Sequence, residues 1–200
     1  MTVAVFDYGV GNLHSLSKAL EVAGARVQVV RDAEGALSGD ALVLPGVGAF
    51  DSAASVLTEW AGDLRAALAA GFPCLGICLG MQLLFDESEE GEGRGLGAIP
   101  GKVVRLRAPV VPHMGWNRVE CAADPLFGDR EPLVAYFAHS FVCEPRDPAC
   151  VSAWVEYGGV RFAAAVRSGN VFGVQFHPEK SSRAGLGLLR RFLDLVRRVG

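Results

Sequence analysis

Cys78 lies in Gly76-Ile77-Cys78-Leu79-Gly80-Met81-Gln82, at the end of a short apolar run and with a glycine two positions to either side. An amphipathic run follows at once. This is the pattern of a nucleophile elbow, in which a strand turns sharply into a helix and holds one side chain clear of the backbone. The glycines are needed because the elbow backbone is strained and its neighbours must be small. A helix starting there directs backbone N–H groups and a partial positive charge at the sulfur, which favours the nucleophilic thiolate. Turnover also requires a base and a place for an oxyanion.

Gly173-Val174-Gln175-Phe176-His177-Pro178-Glu179-Lys180-Ser181 offers the base. Pro178 fixes φ between His177 and Glu179, so the two side chains keep a defined relation without a helix. A carboxylate that accepts the imidazole Nδ1–H leaves Nε2 free toward a thiol, which is triad logic with Cys, His and Glu. Taken alone, His-Pro-Glu also reads as a turn with a salt bridge. Pro45-Gly46-Val47-Gly48-Ala49-Phe50 follows a buried run, and Gly46 and Gly48 would let a backbone N–H turn toward a ligand. The plain alternative is an ordinary strand-to-helix turn. Its place upstream of the elbow strand favours an oxyanion site.

The other histidines carry weaker signals. His14 reads as structural or surface. His113 in Pro112-His113-Met114-Gly115-Trp116-Asn117 suits binding and structure about equally. His139 in Tyr136-Phe137-Ala138-His139-Ser140-Phe141 could line a pocket. Asp7-Tyr8-Gly9-Val10-Gly11-Asn12 begins a dinucleotide fingerprint, but His14 stands where its third glycine belongs, so no cofactor is expected. Five cysteines without a CxxC pair fit neither a disulfide framework nor a zinc site, and no metal is expected.

Around these residues the first half alternates strand and helix. The continuous apolar run Val3–Phe6 reads as a strand covered on both faces, and 25–30, 41–44 and 74–77 read as further strands. Helical spacing places Leu13, Leu16, Leu20 and Ala23 on one face, with further helices over 51–57, 63–70 and 79–85. Residues 86–97 are acidic and glycine-rich and read as a mobile surface loop. Short β-like runs follow at 102–106, 116–120, 133–136, 151–157, 162–167 and 171–175. A last helix spans 183–199 with Leu186, Leu189, Leu193 and Val196 inward and its arginines solvated. The expectation is one α/β domain over residues 1–200. Its central sheet is mostly parallel with helices on both faces, and the C-terminal half adds antiparallel strands.

The chain has 200 residues, half of them hydrophobic and 20% charged, which suits one sizeable buried core. A net charge of −3 with no basic stripe argues against nucleic-acid binding. No apolar run approaches the ~20 residues of a membrane span, and no leader precedes the first strand. A cytoplasmic protein is expected.

The elbow together with Phe176-His177-Pro178-Glu179 resembles the class I (triad) glutamine amidotransferases. The segments beginning at Asp7, Pro45, Pro112, Tyr136 and His177 are, as a set, similar to the glutaminase subunits of imidazole glycerol phosphate synthase. The resemblance runs nearly end to end. It implies hydrolysis of glutamine, with Cys78 attacking the side-chain amide, His177 moving the proton and Glu179 orienting His177. It further implies an oxyanion hole from the N–H groups of Leu79 and the Gly46–Val47–Gly48 turn, and glutamine contacts from Gln82 and Ser140. A (β/α)8-barrel cyclase subunit would receive the ammonia in a heterodimer, facing Asn12, Trp116, Tyr136 and Lys180. Phe141 departs from the family, which often has Tyr there, so no hydroxyl contact is expected. The open alternatives are a glutaminase serving another synthase, a non-catalytic interaction subunit, and a cysteine-peptidase-like hydrolase.

Overall fold

In β1 (Thr2–Phe6), Val3 and Val5 point to one side of the sheet and Ala4 and Phe6 to the other, and all four are fully buried. Strand periodicity of two forces this division, and only helices on both faces can cover it. The computed structural model describes residues 1–9, 13–46, 48–121, 124–128 and 133–199. In these residues β1 is joined by β2 (Arg26–Val30), β3 (Ala41–Leu44), β4 (Cys74–Ile77) and, much later in the chain, β12 (Val171–Val174). They pair in parallel in the order β2-β1-β3-β4-β12. The sheet continues antiparallel through β11 (Val160–Ser168), β10 (Val151–Tyr157), β7 (His113–Cys121) and β8 (Leu133–His139). The expected mixture of parallel centre and antiparallel extension is what forms.

Helices α1 (His14–Ala23) and α6 (Ser182–Arg197) cover the Val3 and Val5 face. The short α2 (Ala33–Leu37), α3 (Phe50–Thr58), α4 (Ala61–Ala69) and α5 (Leu79–Leu83) cover the other. Helix α1 ends on Gly24 at φ 110°, whose N–H reaches back to the Leu20 and Glu21 carbonyls. In α6, Leu188, Leu189, Phe192, Leu193 and Val196 are buried, each contributing about 2 kcal/mol of gross apolar burial. Leu186, expected inward, is only half-buried, at the edge of the buried stripe formed by Leu188, Leu189, Phe192, Leu193 and Val196. No helix among the described residues is long and apolar enough to cross a membrane.

The acidic 86–97 stretch is held more firmly than its composition suggests. It contains β5 (Glu87–Ser88), which pairs with β6 (Gly101–Arg105), and β6 pairs with β9 (Phe141–Pro145) in a second, three-stranded sheet. Asp51 accepts from the N–H groups of Glu92 and Gly93, and Glu90 accepts from the Phe50 N–H at the start of α3. The acidic side chains therefore act as caps for backbone donors, a use that composition does not reveal. Strand β9 had no clear signal because Glu144 and Pro145 break its apolar alternation. The elbow helix is shorter than expected and ends at Leu83.

Candidate active site

Cys78 ends β4 and begins α5 with φ 48° and ψ −103°, in the region that side-chain-bearing residues avoid. Such a conformation costs about 1–3 kcal/mol and persists only when its surroundings enforce it. The enforcement is visible. The Cys78 N–H donates to the Val174 carbonyl at 2.7 Å, and its own carbonyl accepts the Gln82 N–H at 3.1 Å. A side chain at Gly80 would collide with the Leu44 carbonyl, and one at Gly76 would lie 2.5 Å from the Gly80 carbonyl. Gly80 is thus required by the close packing of the elbow on β3, and Gly76 by the elbow folding back over its own strand. Cys78 is 5% exposed.

His177 follows β12 and is laid along the free edge of β8. Its N–H donates to the Tyr136 carbonyl at 2.9 Å. Its Nδ1 lies 2.8 Å from Glu179 Oε1, in the one-turn helix Pro178–Lys180, so Nδ1–H donates to the carboxylate and Nε2 faces the other way. Burial opposes charge on the imidazole, but its interactions with Cys78 and Glu179 outweigh that and raise its pKa to about 9. Glu179 Oε2 is buried with no hydrogen-bond partner among the described residues.

Gly46 seals the constellation from β3. A methyl group placed on it would lie 2.7 Å from the Ile77 carbonyl, 2.9 Å from Cys78 Cβ and 3.1 Å from His177 Cε1. Cysteine and histidine therefore meet over a bare backbone. Gly48 is exposed at φ 116°, a conformation that glycine adopts freely. Val47 lies outside the described residues, as does Asn12. Leu79 is buried in the first turn of α5, where its N–H has no helical acceptor. Gln82 is buried, with Nε2 donating to the Phe141 carbonyl at 3.1 Å. Ser140 is half-buried between β8 and β9, and its carbonyl accepts the Leu106 N–H.

The remaining candidates lie together on the outer face of β7 and β8. Trp116 is 55% exposed, with its ring 6.0 Å from that of Tyr136, over which Lys180 Nζ sits at 5.8 Å. Met114 (64% exposed) and Val134 (47%) extend this apolar patch, and register places Met114 opposite Ala138 and Arg118 opposite Val134.

Two contributors escaped the sequence reading. Gln175 is fully buried, with Nε2 3.6 Å from Cys78 Sγ and Oε1 lacking a partner among the described residues. A lone amide in the apolar run Val171–Phe176 was the available signal. Ser181, also fully buried, accepts the Tyr136 N–H at 2.9 Å and donates to the His177 carbonyl at 2.7 Å. His14 is exposed on α1, while His113 and His139 form a buried pair beside the site.

Chemically, the arrangement holds a thiol, an oriented imidazole and bare backbone donors at one point. Comparison with known proteins narrows its use. The family described as "Glutamine amidotransferase class-I" matches residues 4–195. The chain is 46% identical to the "Imidazole glycerol phosphate synthase subunit HisH" of Thermosynechococcus vestitus, covering 98% of this chain and 97% of that one. It is 47% identical to the protein of the same name from Halobacterium salinarum, over 96% and 93% of the two chains. In fold it is similar to a crystal structure of a glutamine amidotransferase (TM-score 0.78, 23% identity, 98% of both chains). It is also similar to PurLQS from Thermotoga maritima (TM-score 0.77, 21% identity, 97% and 98%). The chain belongs to the class-I glutamine amidotransferases, in the group of imidazole glycerol phosphate synthase HisH subunits.

Proposed function

We propose that residues 1–200 form one glutaminase domain that hydrolyses glutamine through Cys78, His177 and Glu179 and hands the ammonia to a (β/α)8-barrel cyclase subunit. The observation that carries this reading is the strained Cys78 meeting His177 over Gly46, with Glu179 fixing the far side of the ring. Cys78 Sγ attacks the side-chain amide carbon with the thiol's proton already held on His177 Nε2, as the raised pKa of that ring requires. The oxyanion is received by the Leu79 N–H and the Gly46–Val47–Gly48 backbone. Collapse breaks the C–N bond, and the proton on His177 leaves with ammonia. Water then attacks the γ-glutamyl thioester, giving its proton to His177. The C–S bond breaks, glutamate departs and the sulfur regains its proton.

Gln82 and Ser140 hold the glutamine in this reading. The patch of Trp116, Tyr136 and Lys180, with Asn12, is the cyclase-facing surface. Its exposed apolar rings, flanked by the Lys180 and Arg118 cations, suit a partner interface better than open solvent. The partner uses the ammonia to form imidazole glycerol phosphate and an aminoimidazole carboxamide ribotide, in the cytoplasm. The test is glutamate production by the chain with and without the cyclase subunit and its nucleotide. Activity should rise on adding both. Cys78→Ala should abolish it, by a factor of about 10⁴ or more, while partner binding by calorimetry is unchanged. Glutamine hydrolysis that survives Cys78→Ala refutes the assignment.

A further inference from the structure

Beside the site lies a chain of polar groups that the chemistry above does not use. His113 Nδ1 and His139 Nε2 are 3.0 Å apart, and the residues are 2% and 6% exposed. His139 Nδ1 lies 2.9 Å from the Phe141 carbonyl. That oxygen can only accept, so Nδ1 of His139 carries its hydrogen. In the neutral ring Nε2 is then an acceptor, and His113 must supply the hydrogen between the two rings. His113 Nε2 is left to accept from Asn117 Nδ2, 3.4 Å away. One tautomer of each ring satisfies every contact.

The surroundings hold both rings in this form. His113 stacks between Phe137 (4.6 Å) and Tyr157 (4.0 Å), and His139 meets Phe162 edge-on at 5.3 Å. Burial is the leading cause that lowers the pKa of each ring, to about 4 for His113 and about 3 for His139. The pair therefore stays neutral at physiological pH and takes no proton from the catalytic ring.

The far end of the chain reaches substrate-binding machinery. In the β6–β9 ladder Leu106 bonds to Ser140, so Phe141, opposite Arg105, is in the non-bonded register and its carbonyl points away from β6. That carbonyl accepts two side-chain donors, His139 Nδ1 at 2.9 Å and Gln82 Nε2 at 3.1 Å. With its nitrogen committed there, the Gln82 amide keeps its oxygen as the acceptor end.

We propose that the His113–His139 pair is a positioning relay for Gln82, fixing the Phe141 carbonyl so that Gln82 presents an acceptor oxygen to the α-ammonium group of glutamine. The inference rests on the reading of Gln82 as a glutamine-binding residue. It predicts an effect on substrate binding and little on the chemical step, since neither ring touches reacting atoms.

The test is glutamine-dependent glutamate production by the chain with its cyclase subunit, for His139→Phe and His139→Asn, each with Gln82 intact and in Gln82→Ala. Phenylalanine keeps the aromatic packing and removes the donor, while asparagine keeps a donor near the Nδ1 position. His139→Phe should raise KM for glutamine about tenfold with kcat within about twofold, the loss expected for one hydrogen bond. His139→Asn should restore KM to within about threefold. In Gln82→Ala, His139→Phe should add nothing, because the group it positions is gone. A full-sized effect in that background, an unchanged KM, or a fall in kcat alone overturns the proposal. Should His139→Phe fail to fold, His113→Phe is read by the same criteria, with an expected rise of about threefold. A Gln82→Ala chain with unaltered KM strikes instead at the underlying glutamine-binding reading, so the two failures are distinguishable.

Discussion

The three buried histidines set opposite limbs of a pH–stability curve, and the limbs can be separated. Folded His113 and His139 titrate at about 4 and about 3 because burial excludes their charge, and the nearby His113 and His177 charges lower His139 further. In the unfolded chain both titrate near ~6.5. Between about pH 6.5 and 5 the unfolded state therefore binds two protons that the folded state refuses, and stability falls as pH falls. At about 1.4 kcal/mol per proton per pH unit, the pair removes about 4 kcal/mol by pH 5, a large share of a typical 5–15 kcal/mol. His177 has the opposite sign. Burial resists its charge, but Cys78 and Glu179 hold its folded pKa at about 9. From about pH 6.5 to 9 the folded chain keeps a proton the unfolded chain has lost, and stability declines by about 3 kcal/mol as pH rises. Below about pH 6.5 both states are protonated at His177, so the acid limb belongs to the pair.

The assay is urea unfolding followed by tryptophan fluorescence at about pH 5, 6.5 and 9, where a constant m-value lets the midpoint report free energy. The midpoint should be highest near pH 6.5. Replacing His113 with Leu and His139 with Phe should flatten the acid limb and leave the alkaline one. A wild-type midpoint that does not fall between about pH 6.5 and 5, or an acid limb that survives the double replacement, refutes the reasoning.

Gly46→Ala should cost about 100-fold or more in glutaminase kcat, since the new methyl would sit 2.9 Å from Cys78 Cβ and 3.1 Å from His177 Cε1 and must push them apart. Steady-state kinetics beside a thermal melt checks this, and near-native kcat would show that the two side chains do not depend on a bare backbone there. Gln175→Leu should lower kcat about tenfold by removing the amide donor from Cys78 Sγ. Because the lost Oε1 is buried without a partner among the described residues, the unfolding midpoint should hold or rise. A lowered midpoint with unchanged kcat would make Gln175 a purely structural residue.

Legibility in the sequence followed the physical cause of each feature. The parallel centre was readable because strands buried on both faces must be continuously apolar, as 41–44 and 74–77 are. The elbow was readable because its strain excludes all but small neighbours, and Gly80 against the Leu44 carbonyl bears this out. Strand β9 and the capping carboxylates of Asp51 and Glu90 were not readable. Their partners lie about forty positions away in sequence and leave no local period. The histidine pair was half-visible: each ring stood in a distinctive segment, but only the β7–β8 register, His113 against His139, makes them neighbours.

That register also explains how the exposed patch and the proposed catalytic base come to share one piece of backbone. Strand β8 carries Tyr136 outward, toward the proposed cyclase-facing surface, while its main chain receives the His177 N–H. The Ser181 hydroxyl closes the loop by accepting the Tyr136 N–H and donating to the His177 carbonyl, fully buried and with both contacts under 3 Å. One residue further along β8 than Phe137, the Ala138 carbonyl lies 3.9 Å from Cys78 Sγ. A displacement of β8 by a docked partner would therefore be felt at the proposed base through one main-chain bond and the Ser181 bridge, and at the proposed nucleophile through the Ala138 contact. Packed strands do not deform gradually, so such a displacement acts on the site as a unit. A glutaminase wired in this way would have its proposed triad tied to the proposed docking face by backbone and the Ser181 hydroxyl rather than by long side chains. The tie would survive most surface substitutions and be sensitive to changes at Ser181.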